Sequence, residues 1–215
     1  MGDLTAGTSA GYLRAQGTHS ESDDYEDGSG KEVHSEYHRW SGNASLGWTP
    51  DDKSLIELTG GASDGEAAYA DRMMDGSKFL RQNVGLRAKR TLDTGWLQSV
   101  EAQLYQNDVD HVMDNYSLRT FVPSMMMPNP SVSNPTRLTE GGRLTTVLIP
   151  GTNTQAVLGV DVQRNEPTRR STMNQIMMPY LSMPVTTDDL FEQQGIFTEI
   201  EHAVSSTTQI GRAHV

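Results

Sequence analysis

Side-chain character in this chain alternates with a period of two, and the alternating stretches are joined by connections that are short and long in turn. From Asn43 to Trp48, Ala44, Leu46 and Trp48 share one face while Asn43, Ser45 and Gly47 share the other. From Asn83 to Lys89, Val84, Leu86 and Ala88 oppose Asn83, Arg87 and Lys89. Val100, Ala102 and Leu104 oppose Glu101, Gln103 and Tyr105, and Ala156, Leu158, Val160 and Val162 oppose Gly159, Asp161 and Gln163. Successive side chains of a strand point to opposite faces, so each stretch predicts a strand with one apolar and one polar face.

The short connections, Thr49–Lys53, Leu92–Gly95 and Pro150–Asn153, carry the Pro, Asp, Asn and Gly chemistry of tight turns. The long ones are expected over Ser20–Glu32, Ser63–Gly76, Asp114–Pro135 and Asn165–Asp189. Short turns on one side and long loops on the other are the pattern of an up-and-down outer-membrane barrel. The span between the first two turns has room for two strands of about ten residues, enough to cross a bilayer when tilted. The fold class is therefore all-β: an antiparallel, transmembrane β-barrel fragment of about eight or nine strands, with short periplasmic turns and long extracellular loops. Trp48 and Trp96 stand beside short turns, where an interfacial aromatic girdle lies.

Composition agrees with a one-sided sheet. Hydrophobic residues make up 35% of the chain, and no apolar run is long enough for a transmembrane helix. The net charge of -11 opposes binding to a nucleic-acid backbone. The absence of cysteine removes disulfides, zinc-thiolate sites and thiol nucleophiles from this stretch. No nucleophile elbow, phosphate loop or His-Glu-x-x-His string occurs, so the chain is read as a non-enzyme with no catalytic cofactor. The acidic run Asp23, Asp24, Glu26 and Asp27 and the pair Asp64 and Glu66 are read as solvated loop, with weak divalent-cation binding as the alternative.

Methionine is the unusual residue. Eleven are present, and apart from Met1 they fall in or beside the expected long loops. A thioether is a soft, uncharged ligand that suits Cu(I) and rejects hard ions. Two strings look alike: Met74-Asp75-Gly76 and Met113-Asp114-Asn115 each place Met before Asp and a turn former. They are expected on different hairpins, converging across the lumen, as the principal ligand pair. Met125, Met126 and Met127, followed by proline, and Met177 and Met178, also followed by proline, are expected to act as capture sites. His111, two residues before Met113, is placed beside the copper site, whereas His34 and His38 are read as surface residues.

The strings Ser63-Asp-Gly-Glu-Ala-Ala-Tyr-Ala-Asp-Arg with Met74-Asp-Gly-Ser-Lys-Phe, Val109-Asp-His-Val-Met-Asp-Asn-Tyr-Ser-Leu-Arg and Ser124-Met-Met-Met-Pro-Asn-Pro resemble the copper group of TonB-dependent outer-membrane receptors. The hairpin Asn43–Asp52 with Leu55–Leu58 resembles their barrel hairpins more generally. The resemblance runs to about Gln209. It implies a barrel of about 22 strands round an N-terminal plug, bacterial outer-membrane localisation, copper as the imported ligand, lipid and the TonB complex as partners, and Met74 and Met113 as ligands completed by plug residues.

Neither plug nor TonB-contacting box is found in the sequence, and no signal peptide opens it. Positions 1–209 are therefore expected to be one arc of a barrel, unable to insert unaided, with 210–215 a sequencing-adapter artefact. Two other readings follow from the same residues: a receptor for a siderophore or other chelate, and a soluble β-rich binding or adhesion module.

Overall fold

The computed structural model describes residues 1–205 and 208–210, so 211–215 of the expected artefact lie outside the described residues. Strands β1 (Gly2–Thr8), β2 (Gly11–Ser22), β5 (Tyr37–Trp48), β6 (Ser54–Ala67), β7 (Asp75–Thr94), β8 (Leu97–Asp114), β9 (Val132–Gly151), β10 (Thr154–Thr172) and β12 (Phe191–Ser205) form one antiparallel sheet in chain order. Two short strands extend it: β11 (Thr186–Thr187) on β10 and β13 (Thr208–Ile210) on β12. A separate hairpin, β3 (Tyr25–Glu26) with β4 (Glu32–Val33), decorates the first long loop. The sheet is not closed, and among the described residues the one helical segment is the 3-10 turn Tyr180–Ser182. This is the expected barrel arc with its nine long strands.

Register turns the alternation into surface. Leu13 stands opposite Leu46, Leu46 opposite Leu58, Leu58 opposite Leu86 and Leu86 opposite Leu104. The row continues through Gly142 to Val162. All five leucines and Val162 are exposed. Trp48 and Trp40 lie on the same face of β5, and positions 40 to 48 make nine residues, close to the 9–11 of a membrane-crossing strand. The opposite face is polar and cross-linked. Arg87 donates to both carboxylate oxygens of Glu101 at 2.8 Å, Tyr12 donates to Glu57, and Tyr105 donates to Gln163 at 3.1 Å.

The strands run further than the sequence suggests at the long-loop end. The second loop is 68–74 rather than Ser63–Gly76, because β6 continues to Ala67 and β7 starts at Asp75. Pro135 and Pro167, turn signals in sequence, are inside β9 and β10. The expected turn at Leu92–Gly95 moves to Gly95-Trp96, with Asp93 and Gly95 in positive φ (50° and 57°). The sheet keeps pairing where its faces are no longer alternately polar and apolar, because each added ladder residue still satisfies backbone N–H and C=O groups.

Candidate metal site at the long-loop end

Buried positions among the described residues are few and mostly polar. Apart from Ser99, near a short turn, and the in-sheet glycines Gly47, Gly142 and Gly159, they gather at the long-loop end: Asp75, Asp114, Asn115, Ser131 and Asn134 are all nearly inaccessible, beside Val112 and Val132. A buried polar group costs free energy unless it is hydrogen-bonded, and these are bonded. Asp75, with no exposure, accepts from Arg119 Nε at 2.6 Å, from the Arg119 terminal nitrogen, from His34 Nε2 at 3.0 Å and from the Tyr69 amide at 2.9 Å. Arg119 also donates to the carbonyls of Arg72 (2.8 Å) and Tyr69 (3.0 Å). One carboxylate thereby ties together loops 23–36, 68–74 and 115–131. Burial works to raise the Asp75 pKa, but the hydrogen bonds from Arg119, His34 and Tyr69 and the Arg119 charge outweigh it and hold the group at about 2.

Asp114, directly opposite Asp75 in the ladder, turns the chain out of β8. Its carboxylate accepts from the amides of Tyr116 (3.0 Å) and Ser117 (2.7 Å) and from the Ser117 hydroxyl (2.7 Å). Asn115 then accepts the Ser131 amide at 2.9 Å and donates to the Met127 sulfur at 3.5 Å, so both ends of loop 115–131 are pinned.

The two alike Met-Asp strings therefore meet. Asp75 pairs with Asp114 and Gly76 with Met113. Met74 and Met113 are at the outer ends of the two legs of one hairpin, β7–β8, not on different hairpins facing across a lumen. The reason is the tight turn at Gly95-Trp96, which makes β7 and β8 ladder neighbours. Both methionines are half-buried. His111 shares Met113's face of β8, about 7 Å along the strand. Its ring stacks on Phe79 with centroids 4.5 Å apart, and its Nε2 is buried without a hydrogen-bond partner.

The other methionines are placed differently. Met127 is half-buried and held by Asn115, whereas Met125 and Met126 project fully into solvent. Met177 and Met178 are exposed on loop 173–190. That loop is tied to loop 115–131 by a 2.8 Å bond from the Gln175 amide to the Pro130 carbonyl.

His34 is not a surface residue but a buried carboxylate's partner; nothing local signals this, because Asp75 is 41 positions away. Asp24 and Asp27, expected to be solvated, shape their loop by accepting the amides of Ser35 and Glu36 and of Ser29 and Lys31. Asp64 likewise accepts the amides of Gly65 and Phe79 at 2.8 and 2.9 Å.

No family model matches the chain, and no curated protein matches it. Among solved structures, the chain is similar to the copper transporter OprC at 44% identity over 94% of its length, with a TM-score of 0.88. It spans 32% of that transporter's chain, about a third. Fold and sequence thus agree in making this an antiparallel β-barrel segment similar to part of that transporter.

Proposed function

We propose that the chain is an arc of a TonB-dependent outer-membrane receptor that captures and imports copper, with Met74 and Met113 as thioether ligands. The observation that carries this reading is their placement. The ladder sets the two Met-Asp strings against each other beside an imidazole whose Nε2 lacks a partner. Soft sulfur with a neutral imidazole nitrogen favours copper over hard cations. The likeness to a copper transporter supports the same substrate. Met125 and Met126, extended into solvent, and Met177 and Met178 serve as first contacts, and Met127 lies nearer the hairpin. The polar inner face gives the ion a hydrated path, while plug residues and the TonB complex of the whole receptor complete the site and supply movement. The protein acts as a receptor, not an enzyme.

The exposed leucine row supports an outer-membrane setting. A soluble module would bury such a row between two sheets; among the described residues no second sheet lies against it, and the β3–β4 hairpin is too small to do so.

The test is copper bound by the full-length receptor in detergent, as wild type and as Met74→Ala/Met113→Ala. Loss of bound copper in the double variant, with the barrel still folded, supports the reading. Equal copper in both moves the site to Met125–Met127 or Met177–Met178. No copper in either overturns the copper assignment.

A further inference from the structure

A second group of ligand-type side chains lies away from the methionines, on the outward face of β2 and β5. Glu21 is directly opposite His38, and His19 directly opposite Trp40. His19, Glu21 and His38 follow the face of Leu13, Leu46 and Trp40, just past Trp40 toward the loops. His19 and His38 are therefore diagonal neighbours, normally about 7–8 Å apart at the backbone. Their rings nevertheless converge. The two Nε2 atoms are 2.9 Å apart with the rings edge to face, and a Glu21 oxygen is 3.7 Å from His19 Nε2. One ligand atom from each of the three residues lies within 4.8 Å of the others.

We infer that His19, Glu21 and His38 form a binding site for one divalent transition ion of the Zn(II) class, separate from the methionine site. Metal–nitrogen and metal–oxygen bonds of about 2.0–2.2 Å at tetrahedral angles separate ligand atoms by roughly 3.3 Å. The observed spacings bracket that value, so small side-chain rotations complete the set. Two imidazoles, which are borderline donors, with one hard carboxylate suit a divalent ion such as Zn(II) rather than Cu(I). Three protein ligands leave a fourth position for water or a solute anion.

The surroundings favour a cation. An open hollow of about 160 Å³ adjoins the cluster and is lined by Glu21, Asp23, Glu36, His38 and Glu66. Without an ion, one hydrogen bond between exposed His19 and half-buried His38 and the 3.7 Å contact of His19 with Glu21 hold the rings together, and such surface bonds contribute little in water.

The experiment is Zn(II) titration of the full-length receptor in detergent after chelator treatment, followed calorimetrically, with Cu(I) binding measured in parallel. Wild type is expected to bind one equivalent that His19→Gln/His38→Gln loses and Glu21→Gln binds at least tenfold more weakly. Cu(I) binding stays unchanged in all three. The three substitutions keep polar side chains at exposed or half-buried positions, and a heat-modifiable gel shift verifies the folded barrel. Cobalt(II) substituted for zinc is expected to give the visible bands of a four-coordinate site in wild type alone. The same zinc stoichiometry and affinity in the double histidine variant, or no zinc bound by wild type, overturns the site.

Discussion

Arg119 reaches back 44 positions to close a forked contact on Asp75, a carboxylate with no exposure to solvent. The pair does more than neutralise charge, because the same guanidinium also holds the carbonyls of Tyr69 and Arg72. Arg119→Ala removes the fork and leaves a buried anion with His34 and one amide. Breaking a buried ion pair from one side costs about 3–5 kcal/mol, largely through the charge left behind. The expected outcome is release of loops 68–74 and 115–131 while the barrel strands stay paired. Limited proteolysis of the full-length receptor should cut within 115–131 at least tenfold faster than in wild type. Adding Asp75→Asn should slow that cleavage again, since no uncompensated charge remains. Unchanged cleavage in Arg119→Ala would sink the assignment.

The same carboxylate makes loop order depend on acid. Its pKa is about 2 when folded, against 3.8 ordinarily. A depressed carboxylate contributes stability in full above its unfolded pKa and loses it as pH falls through its folded one. The contribution is about 2 kcal/mol, present from neutrality down to about pH 4 and fading toward pH 2. Amide exchange over Asn115–Ser131, corrected for its intrinsic pH dependence, should be flat from pH 7 to 5 and rise below 4. Asp75→Asn should abolish that rise. A rise between pH 7 and 5 would assign the loop order to another group.

The leucine faces of β5, β7 and β8 were legible because period two survives wherever one face meets an apolar surrounding: Leu46, Leu86 and Leu104 fall in register as their spacing implied. Strand ends were not legible. Near Asp75 and Asp114 polar and apolar residues are mixed on both faces, so alternation vanishes while the ladder continues, and Pro135 and Pro167 read as breaks although the sheet absorbs them. At the site, the repeated Met-Asp string was visible, and the turn expected at Leu92–Gly95 already implies one hairpin for its two copies, against the expectation of different hairpins. The Asp75–Arg119–His34 knot had no local signature at all, because its partners are separated by 41 and 44 positions. Trp40, which shares the outward face with Trp48, is beside no turn and so escaped notice.

On the inner face, an aromatic ring covers a glycine directly across the ladder in three places: Tyr12 over Gly47, Tyr105 over Gly141 and Phe197 over Gly159. A β-carbon at Gly159 would stand 2.1 Å from Phe197 Cζ, and its three nearest atoms all belong to that ring. Gly159→Ala therefore displaces Phe197 and its contact with Arg143 (5.1 Å), at a cost of about 1–3 kcal/mol. Gly159→Ala/Phe197→Ala should be more stable than the sum of the single variants. At Gly141 the added carbon would also stand 2.8 Å from the Val162 carbonyl oxygen, so Tyr105→Ala should not rescue Gly141→Ala. The temperature of the heat-modifiable gel shift in the full-length receptor reads both cycles, and additive effects at Gly159 would refute the contact.

Leu86 sits mid-row, between Leu58 and Leu104, and its neighbour across the sheet plane, Arg87, belongs to the polar face. Exposure alone does not tell which face meets lipid, since both faces of an open arc are accessible. The proposed outer-membrane setting assigns lipid to the leucine row, where a charge would have to enter hydrocarbon. Arginine on the lipid face near the midplane costs about 2–4 kcal/mol, whereas on a hydrated inner face it costs little. Leu86→Arg should therefore reduce the yield of full-length receptor folded into liposomes several-fold. Gln103→Arg, on the opposite face of neighbouring β8, should fold as wild type does. If Leu86→Arg inserts as well as wild type while Gln103→Arg does not, the two faces are reversed, the leucines line the interior, and copper would have to pass along an apolar wall.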